Sequence, residues 1–291
     1  MISQLGWMRL SAPIVGRLPS IFYPAAAAAG WLAWRIRPKQ RRNLIRNMLP
    51  LCDGDGRRAV AQARLAYRNL GRYWVDVTTI PHRRMRTFER DHITLINGER
   101  LEVLTRPGPV MLVSAHMGSV ELTLQAITFR GRPFVALVED LKSAGLSDYL
   151  IKLRSAAGGR FYPADFGGVR ACLAALKAGQ VVGLLADRDI QGTGICVEMA
   201  GRRVKLPRGP WELARRTQAT IVPVFASRNW SDSFTVRVEE PFTVACGNDA
   251  EADVRAAIER WRGLLETELR REPGQWTVIE DFWRTHRCGK S

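Results

Sequence analysis

The sequence lacks any long apolar run, and this absence limits what the protein can be. Among its 291 residues no stretch reaches the roughly 20 apolar residues that a membrane-spanning helix needs, and the mean hydropathy is −0.14. A multispanning membrane protein is therefore excluded. Hydrophobic residues make up 46% and charged residues 25%, a usage that excludes a disordered chain, a collagen or a coiled coil. The length allows one large domain or two small ones.

Cysteine is scarce and widely spaced. The five cysteines are Cys52, Cys172, Cys196, Cys246 and Cys288. A disulfide framework or a structural zinc site needs pairs at short spacing, so we expect neither. No other constellation of metal ligands is visible, and a reducing, cytosolic environment fits this usage best.

Acidic residues are few for the number of basic ones. The chain carries 44 Lys and Arg against 28 Asp and Glu, a net charge of +16, which indicates an anionic partner. Nucleic acid, an anionic bilayer, an acidic carrier protein and a phosphorylated substrate all satisfy that charge. Because the cations are spread along the chain and no nucleic-acid-binding motif is present, we favour a partner other than nucleic acid.

The N-terminal region has the pattern of a membrane surface. Residues 18–34 carry no charge and include Trp31 and Trp34, and residues 35–46 carry six cations and no acid. Indole rings and cations suit the headgroup depth of a bilayer. We therefore expect a helical, monotopic membrane-associating region over residues 1–81. The alternative is a buried alanine-rich helix followed by a solvated basic face.

From about residue 95 the pattern becomes α/β. Short apolar runs predict buried strands at 109–115, 134–140, 161–163, 181–187, 220–228 and 233–244. Helices are predicted at 57–80, 120–129, 143–157, 169–179, 210–217 and 253–273. The stretch that follows 187, rich in Gly and Arg, is expected to be irregular until about 208. The alternation predicts an α/β fold with a mixed, largely parallel central sheet flanked by helices. With no repeat and no long linker, residues 1–291 are expected to form a single domain.

A histidine follows the first predicted buried strand. Of the four histidines only His116 lies just past such a strand, where open α/β sheets bind their ligands. Glu121 falls in the first turn of the next helix, so the two can meet only if His116 folds back from the turn. A carboxylate on one imidazole nitrogen would let the other take a proton from a hydroxyl. Taken alone, the pair is better explained as an ordinary loop histidine and a glutamate favouring the helix dipole, because this spacing often occurs by chance.

The string VSAHMGSVEL resembles the HxxxxD/E motif of the glycerolipid acyltransferase superfamily. It is most similar to the bacterial branch of late lipid A acyltransferases and phosphatidylinositol mannoside acyltransferases. The segments that share this resemblance are 41–48, 66–76, 184–210 and 220–225. The chain departs from the branch at Met199-Ala200-Gly201, where two aromatic residues often precede the glycine. Residues 158–165 match the phosphate motif of the glycerophosphate branch only loosely, which argues against glycerol 3-phosphate as acceptor.

The resemblance implies a role for each candidate residue. His116 would be the general base, and Glu121 would orient it. Substrate phosphates or a developing oxyanion would be bound by arginines, the candidates being Arg154, Arg160 and Arg188. The candidate carboxylates at the site are Asp187, Asp189 and Glu198. They would act either in catalysis or in a structural ion-pair cluster. No cofactor or metal is implied.

These residues together predict a membrane-associated O-acyltransferase. It would move a long-chain fatty acyl group from acyl-CoA or acyl carrier protein to a hydroxyl of a membrane glycolipid. We expect it on the cytoplasmic face of the inner membrane, held peripherally or monotopically on an anionic surface. The alternatives are a lysophospholipid acyltransferase of the same superfamily, a basic nucleic-acid-binding module and a catalytically dead membrane scaffold.

Overall fold

A computed structural model describes residues 4–128, 132–139, 143–230 and 232–289. The helices are α1 Gln4–Arg17, α2 Pro19–Ile36, α3 Pro38–Leu51, α4 Gly56–Thr79, α5 Met85–His92, α6 Val120–Thr128, α7 Ala144–Ser155, α8 Phe166–Lys177, α9 Gly209–Thr217, α10 Ala250–Arg271 and α11 Phe282–Thr285. The strands are β1 Ile93–Ile96, β2 Val110–Ser114, β3 Phe134–Val138, β4 Arg160–Pro163, β5 Val181–Leu185, β6 Ile195–Met199, β7 Arg202–Leu206, β8 Thr220–Trp230 and β9 Ser233–Val238.

Seven of these strands form the central sheet, in the order β1-β9-β8-β2-β5-β3-β4. Neighbours pair in parallel except β8 and β9, which are antiparallel. Hydrophobic clusters cover both faces of the sheet, as the continuous apolar runs of the central strands require. The predicted α/β fold with a mixed, largely parallel sheet is confirmed.

Two parts of the strand pattern differ from the sequence analysis. The edge strand β1 is only four residues long and half-buried, so it leaves no run of apolar residues to detect. The stretch expected to be irregular before 208 contains the antiparallel hairpin of β6 and β7. Its turn has Ala200 and Gly201 at positive φ, a conformation that glycine adopts without strain.

The N-terminal helices pack on the rest of the chain through close backbone contacts. A Cβ added at Gly71 of α4 would lie 2.3 Å from the carbonyl oxygen of Ala26, so α2 and α4 cross at a point where only glycine fits. Tyr23 of α2 donates a hydrogen bond to Asp76 of α4 at 2.7 Å, and Asp76 also pairs with Arg228 of β8. This buried cluster joins α2 to the central sheet. Among the residues described, no helix is both long enough and apolar enough to cross a bilayer.

The cysteines correct one expectation. Cys196 of β6 and Cys288 near the C-terminus form a disulfide, with their Cα atoms 5.9 Å apart. The two are 92 residues apart in sequence, so their spacing gave no sign of a pair. They meet because the C-terminal segment pairs with β7, where Val204 forms a bridge with Arg287. The sequence analysis expected no disulfide framework, and it did not foresee this bond.

Candidate active site

His116 and Asp187 follow the carboxyl ends of two adjacent strands. Ser114, at the end of β2, is in register with Leu185, at the end of β5. Each strand is followed by an alanine and then by the polar residue, and the Ala186 amide donates to the Ser114 carbonyl at 2.9 Å. The parallel register thus carries both side chains to the same edge of the sheet. That edge is where open α/β sheets form their ligand crevice.

Asp187 holds His116 at two points. One carboxylate oxygen lies 2.8 Å from Nδ1 of the imidazole, and the other accepts from the backbone N–H of His116 at 3.2 Å. Trp276 donates its indole N–H to that second oxygen at 2.8 Å. The carboxylate is fully buried, whereas the His116 side chain is 28% exposed. An ionised carboxylate only accepts hydrogen bonds, so the contact assigns the proton to Nδ1 and leaves Nε2 able to accept one.

Charge pairing sets the protonation of both groups. Burial lowers the pKa of His116, but the charge and hydrogen bond of Asp187 outweigh it, and the net pKa lies above the ordinary value of 6.5. Burial also raises the pKa of Asp187, but the His116 charge and the hydrogen bonds from His116 and Trp276 hold it at about 2. Asp187 is therefore an anion at every physiological pH, and His116 titrates above it.

The segment that follows α10 fixes the turn that carries His116. Thr277 donates from its backbone N–H and from its hydroxyl to the His116 carbonyl oxygen, at 2.9 and 3.1 Å. Gly118 donates to the carbonyl oxygen of Gln275 at 3.1 Å. Gly118 has φ +57°, and a Cβ there would lie 2.5 Å from the Ala226 carbonyl oxygen. The imidazole is thus positioned by backbone contacts as well as by Asp187.

Arg188 lies beside the pair in a cluster of its own. Its guanidinium contacts Glu139 at the end of β3 and Glu280, each at 2.8 Å. His286 also lies 2.8 Å from Glu280. The hydrogen bond from His286 and the contact with Arg188 hold the pKa of Glu280 at about 2. The sequence analysis allowed an ion-pair cluster of Asp187 and Asp189, but the carboxylates that pair with Arg188 are Glu139 and Glu280.

Glu121 does not take the place expected for it. Its carboxylate accepts from the hydroxyl of Tyr73 on α4 and lies 3.0 Å from Arg154 on α7. Arg154 also donates to Tyr73 at 2.7 Å. Glu121 and Arg154 are 16% and 11% exposed, so this is a buried network that joins three helices. Asp187, and not Glu121, is the carboxylate on the imidazole of His116.

The remaining candidates are dispersed. Arg160 lies at the amino end of β4, where it forms a hydrogen bond with Gln180 ahead of β5. It is therefore near the amino ends of the parallel strands, whereas His116 lies at their carboxyl ends. Asp189 accepts from the amides of Gly192 and Gly194, at 3.1 and 2.8 Å, and so shapes the loop before β6. Glu198 lies on the exposed side of the β6–β7 hairpin. The structure brings Asp187 and Arg188 to His116, and not Arg160.

Trp276, Thr277, Glu139 and Glu280 were missed from the sequence. Glu139 alone carried a signal, because it lies at the carboxyl end of the strand predicted at 134–140, on the same side of the sheet as His116. In the part of the chain that the structure describes, no group of three or more His, Cys, Asp or Glu side chains is arranged to hold a metal ion.

The carboxyl ends of β2 and β5 carry a histidine–carboxylate pair with one imidazole nitrogen able to accept a proton. Such a pair can deprotonate a hydroxyl group. Over residues 10–285 the chain matches the bacterial lipid A biosynthesis acyltransferase family, and it belongs to that family. The protein is therefore an acyltransferase of lipid biosynthesis, and the resemblance found in the sequence is confirmed.

Curated relatives agree with this assignment. A phosphatidylinositol mannoside acyltransferase of Mycobacterium tuberculosis is 27% identical over 222 residues, which cover 73% of this chain and 67% of the relative. Another, from Mycolicibacterium smegmatis, is 24% identical over 293 residues, covering 96% of this chain and 89% of the relative. A solved 1-acyl-sn-glycerophosphate acyltransferase from Thermotoga maritima is 15% identical, with a TM-score of 0.40, over 80% of this chain and 98% of that one.

Proposed function

We propose that the protein transfers a long-chain fatty acyl group from a thioester donor, acyl-CoA or acyl carrier protein, to a hydroxyl of a membrane glycolipid. The acceptor would be of the lipid A or phosphatidylinositol mannoside type. The observation that carries the proposal is the His116–Asp187 pair at the carboxyl edge of the sheet. Relatives named as phosphatidylinositol mannoside acyltransferases support this class of acceptor.

In this mechanism His116 is the general base. Its Nε2 takes the proton of the acceptor hydroxyl while the hydroxyl oxygen attacks the thioester carbonyl carbon, and Asp187 stabilises the imidazolium. The tetrahedral intermediate then collapses as the carbon–sulfur bond breaks. The thiolate takes the proton from the imidazolium, which yields an ester and a free thiol. The pair needs no covalent enzyme intermediate.

The oxyanion of the intermediate needs hydrogen-bond donors, which usually supply a large part of catalysis. Arg188 lies at the same edge of the sheet as His116, whereas Arg160 lies at the other. Arg188 and backbone N–H groups at the start of α6 are therefore the donors that we propose for this oxygen. Burial lowers the pKa of Arg188, but Glu280 and Glu139 raise it by more than burial lowers it. The guanidinium therefore stays charged.

An acyl-transfer assay tests the general base. Wild type and His116→Ala would be incubated with labelled palmitoyl-CoA or palmitoyl carrier protein and a panel of glycolipids and lysophospholipids. We expect label in a glycolipid with wild type, and a loss on the order of 10³-fold or more in the variant. Equal transfer by the two proteins would contradict the role of His116, and label in a lysophospholipid alone would move the acceptor to that class.

We also propose that α1 and α2 face the membrane, within one acyltransferase domain. Seven large apolar side chains on or between these helices are 47–66% exposed: Leu10, Ile14, Leu18, Ile21, Trp31, Leu32 and Ile36. Cations follow directly, and Arg35, Arg37, Lys39 and Arg42 are exposed. An apolar face bordered by cations suits an anionic bilayer. The buried Tyr23–Asp76–Arg228 cluster supports treating residues 1–81 as part of the catalytic domain.

Vesicle binding tests this face. Serine at Ile14, Ile21 and Leu32 removes apolar surface from α1 and α2, so affinity for anionic vesicles should fall by about 10-fold or more. The matched control places serine at Phe166, Ile190 and Trp230, which lie elsewhere and are 79%, 56% and 75% exposed. A loss of binding in the control alone would assign the membrane contact to that second surface.

A further inference from the structure

A basic cleft lies between α3, the β6–β7 hairpin and the C-terminal segment. Its volume is about 730 Å³, within the range of sites for small molecules. Its lining includes five arginines and one tryptophan, namely Arg46, Arg202, Arg203, Arg284, Arg287 and Trp283. This concentration of arginine is separate from the residues that contact His116.

Most of this charge is not neutralised by the protein. Arg46 pairs with Asp281 at 3.0 Å, and the Arg202 guanidinium lies 5.9 Å from the centre of the Trp283 ring. Arg203, Arg284 and Arg287 are exposed. Glu198 lies opposite Arg203 in the β6–β7 hairpin, but within the described residues no ion pair joins any of the three arginines to an acid. Cations held together in a concave site raise the local concentration of anions, and guanidinium groups bind phosphate through paired hydrogen bonds.

The wall of the cleft is held in place before any ligand binds. The Cys196–Cys288 disulfide joins the C-terminal segment to the hairpin. The Lys205 amide donates to the carbonyl oxygen of His286 at 2.7 Å, and the Cys288 amide donates to that of Arg203 at 3.3 Å. A site fixed in this way loses little conformational entropy on binding.

Side-chain contacts link the cleft to the catalytic pair, although neither His116 nor Asp187 lines it. Trp283 packs against Trp276, with ring centres 6.4 Å apart, and Trp276 donates to Asp187. A second cleft of about 480 Å³ shares Arg46, Asp281 and Arg284 with the first. Glu280 lines this second cleft and binds Arg188, the residue next to Asp187.

We infer that the cleft binds the phosphate-bearing nucleotide end of coenzyme A, while the acyl thioester extends towards His116. This inference rests on the proposed function and selects acyl-CoA from its two donors. A carrier protein needs a contact of about 800 Å² on each partner, whereas this site is concave and of nucleotide size. A lipid headgroup would need apolar anchors beside it, but none of the large exposed apolar residues described lines the cleft.

Calorimetric titration with adenosine 3′,5′-bisphosphate tests the cleft without turnover. The full chain would be compared with a variant carrying glutamine at Arg203, Arg284 and Arg287. We expect affinity to fall on the order of 10- to 100-fold, since charge-assisted hydrogen bonds to phosphate are lost. The matched control places glutamine at Arg57, Arg216 and Arg255, which are exposed elsewhere. It removes the same charge and should bind as wild type does.

Kinetics separate this inference from the proposed function. In the cleft variant KM for palmitoyl-CoA should rise by the same factor with kcat retained, and KM in the control variant should not change. Equal binding by the cleft variant and wild type, or no binding by wild type, overturns the cleft. Transfer from acyl carrier protein alone also overturns the cleft but leaves the acyltransferase proposal intact. Bisphosphate binding that depends on the cleft, without transfer from any donor, supports the cleft and contradicts the proposed function.

Discussion

Asp187 and Glu121 are the two carboxylates expected near His116, and they lie in separate clusters. The clusters differ in whether the partner of the carboxylate can change its charge near neutral pH. Asp187 is paired with His116, a group whose charge changes near neutral pH and whose side chain is 28% exposed. Glu121 is paired with Arg154, which stays charged, and with the hydroxyl of Tyr73. Burial raises the pKa of Tyr73, and Glu121 raises it further, so that hydroxyl keeps its proton. Only the first cluster can exchange a proton with a substrate.

The comparison shows that the motif of His116 and Glu121 locates the site but does not identify the carboxylate that contacts the imidazole. The spacing of His116 and Glu121 places one in the turn after β2 and the other in the first turn of α6. Partner choice depends instead on the register of β2 with β5, which puts Asp187 against the imidazole. In this account Asp187 acts on the reaction through His116, and Glu121 stabilises the helices behind it.

The largest predicted effect that distinguishes the two clusters is on turnover. Asp187→Asn keeps the shape of the side chain but loses the charge that orients the imidazole and stabilises its protonated form. We expect kcat to fall on the order of 10³-fold, measured with saturating donor and acceptor. Asp249→Asn is the control, because Asp249 caps α10 and asparagine caps a helix equally well. Unchanged turnover in Asp187→Asn would mean that His116 needs no carboxylate partner.

The second prediction concerns stability. Glu121→Gln leaves Arg154 buried without its anion, which should lower the free energy of unfolding by about 3 kcal/mol. Denaturant unfolding would measure this loss. Turnover at a temperature where the variant is folded should change by less than about 10-fold, because Glu121 does not contact the imidazole.

A surface pair serves as the control for that loss. Glu102 and Arg106 are 3.7 Å apart and 70% and 73% exposed, so Glu102→Gln should change the free energy of unfolding by less than about 1 kcal/mol. If Glu121→Gln is as stable as wild type but loses turnover as His116→Ala does, the roles of the two clusters would be reversed.

The smallest effect is on pH dependence. A general base must be neutral, and Asp187 raises the pKa of His116, so the acidic limb of kcat/KM should have its midpoint above pH 6.5. In Asp187→Asn the limb should move to lower pH, since burial then lowers the pKa without compensation. A midpoint that the substitution leaves in place would assign the limb to another group.

The sheet was largely predictable because its central strands are buried on both faces. The apolar runs at 109–115, 181–187 and 220–228 correspond to β2, β5 and β8. Such runs reflect burial, which sequence shows directly. The short edge strand β1 and the β6–β7 hairpin escaped, because half-buried strands carry polar residues and their pairing depends on distant segments.

The site was predictable in part, for a related reason. A histidine just past a buried strand locates the ligand edge, so His116 could be named. The partner Asp187 and the donor Trp276 lie 71 and 160 positions further along the chain. They reach His116 through strand order and through the segment after α10, and neither is encoded in local spacing. The Cys196–Cys288 disulfide escaped for the same reason.

The central claim is that Asp187, and not Glu121, sets the protonation of His116. Its most direct test is an NMR titration of the His116 imidazole in wild type, Asp187→Asn and Glu121→Gln. We predict a pKa above 6.5 in wild type, a lower pKa in Asp187→Asn and the wild-type value in Glu121→Gln. A pKa that Asp187→Asn leaves unchanged and Glu121→Gln lowers would contradict the account.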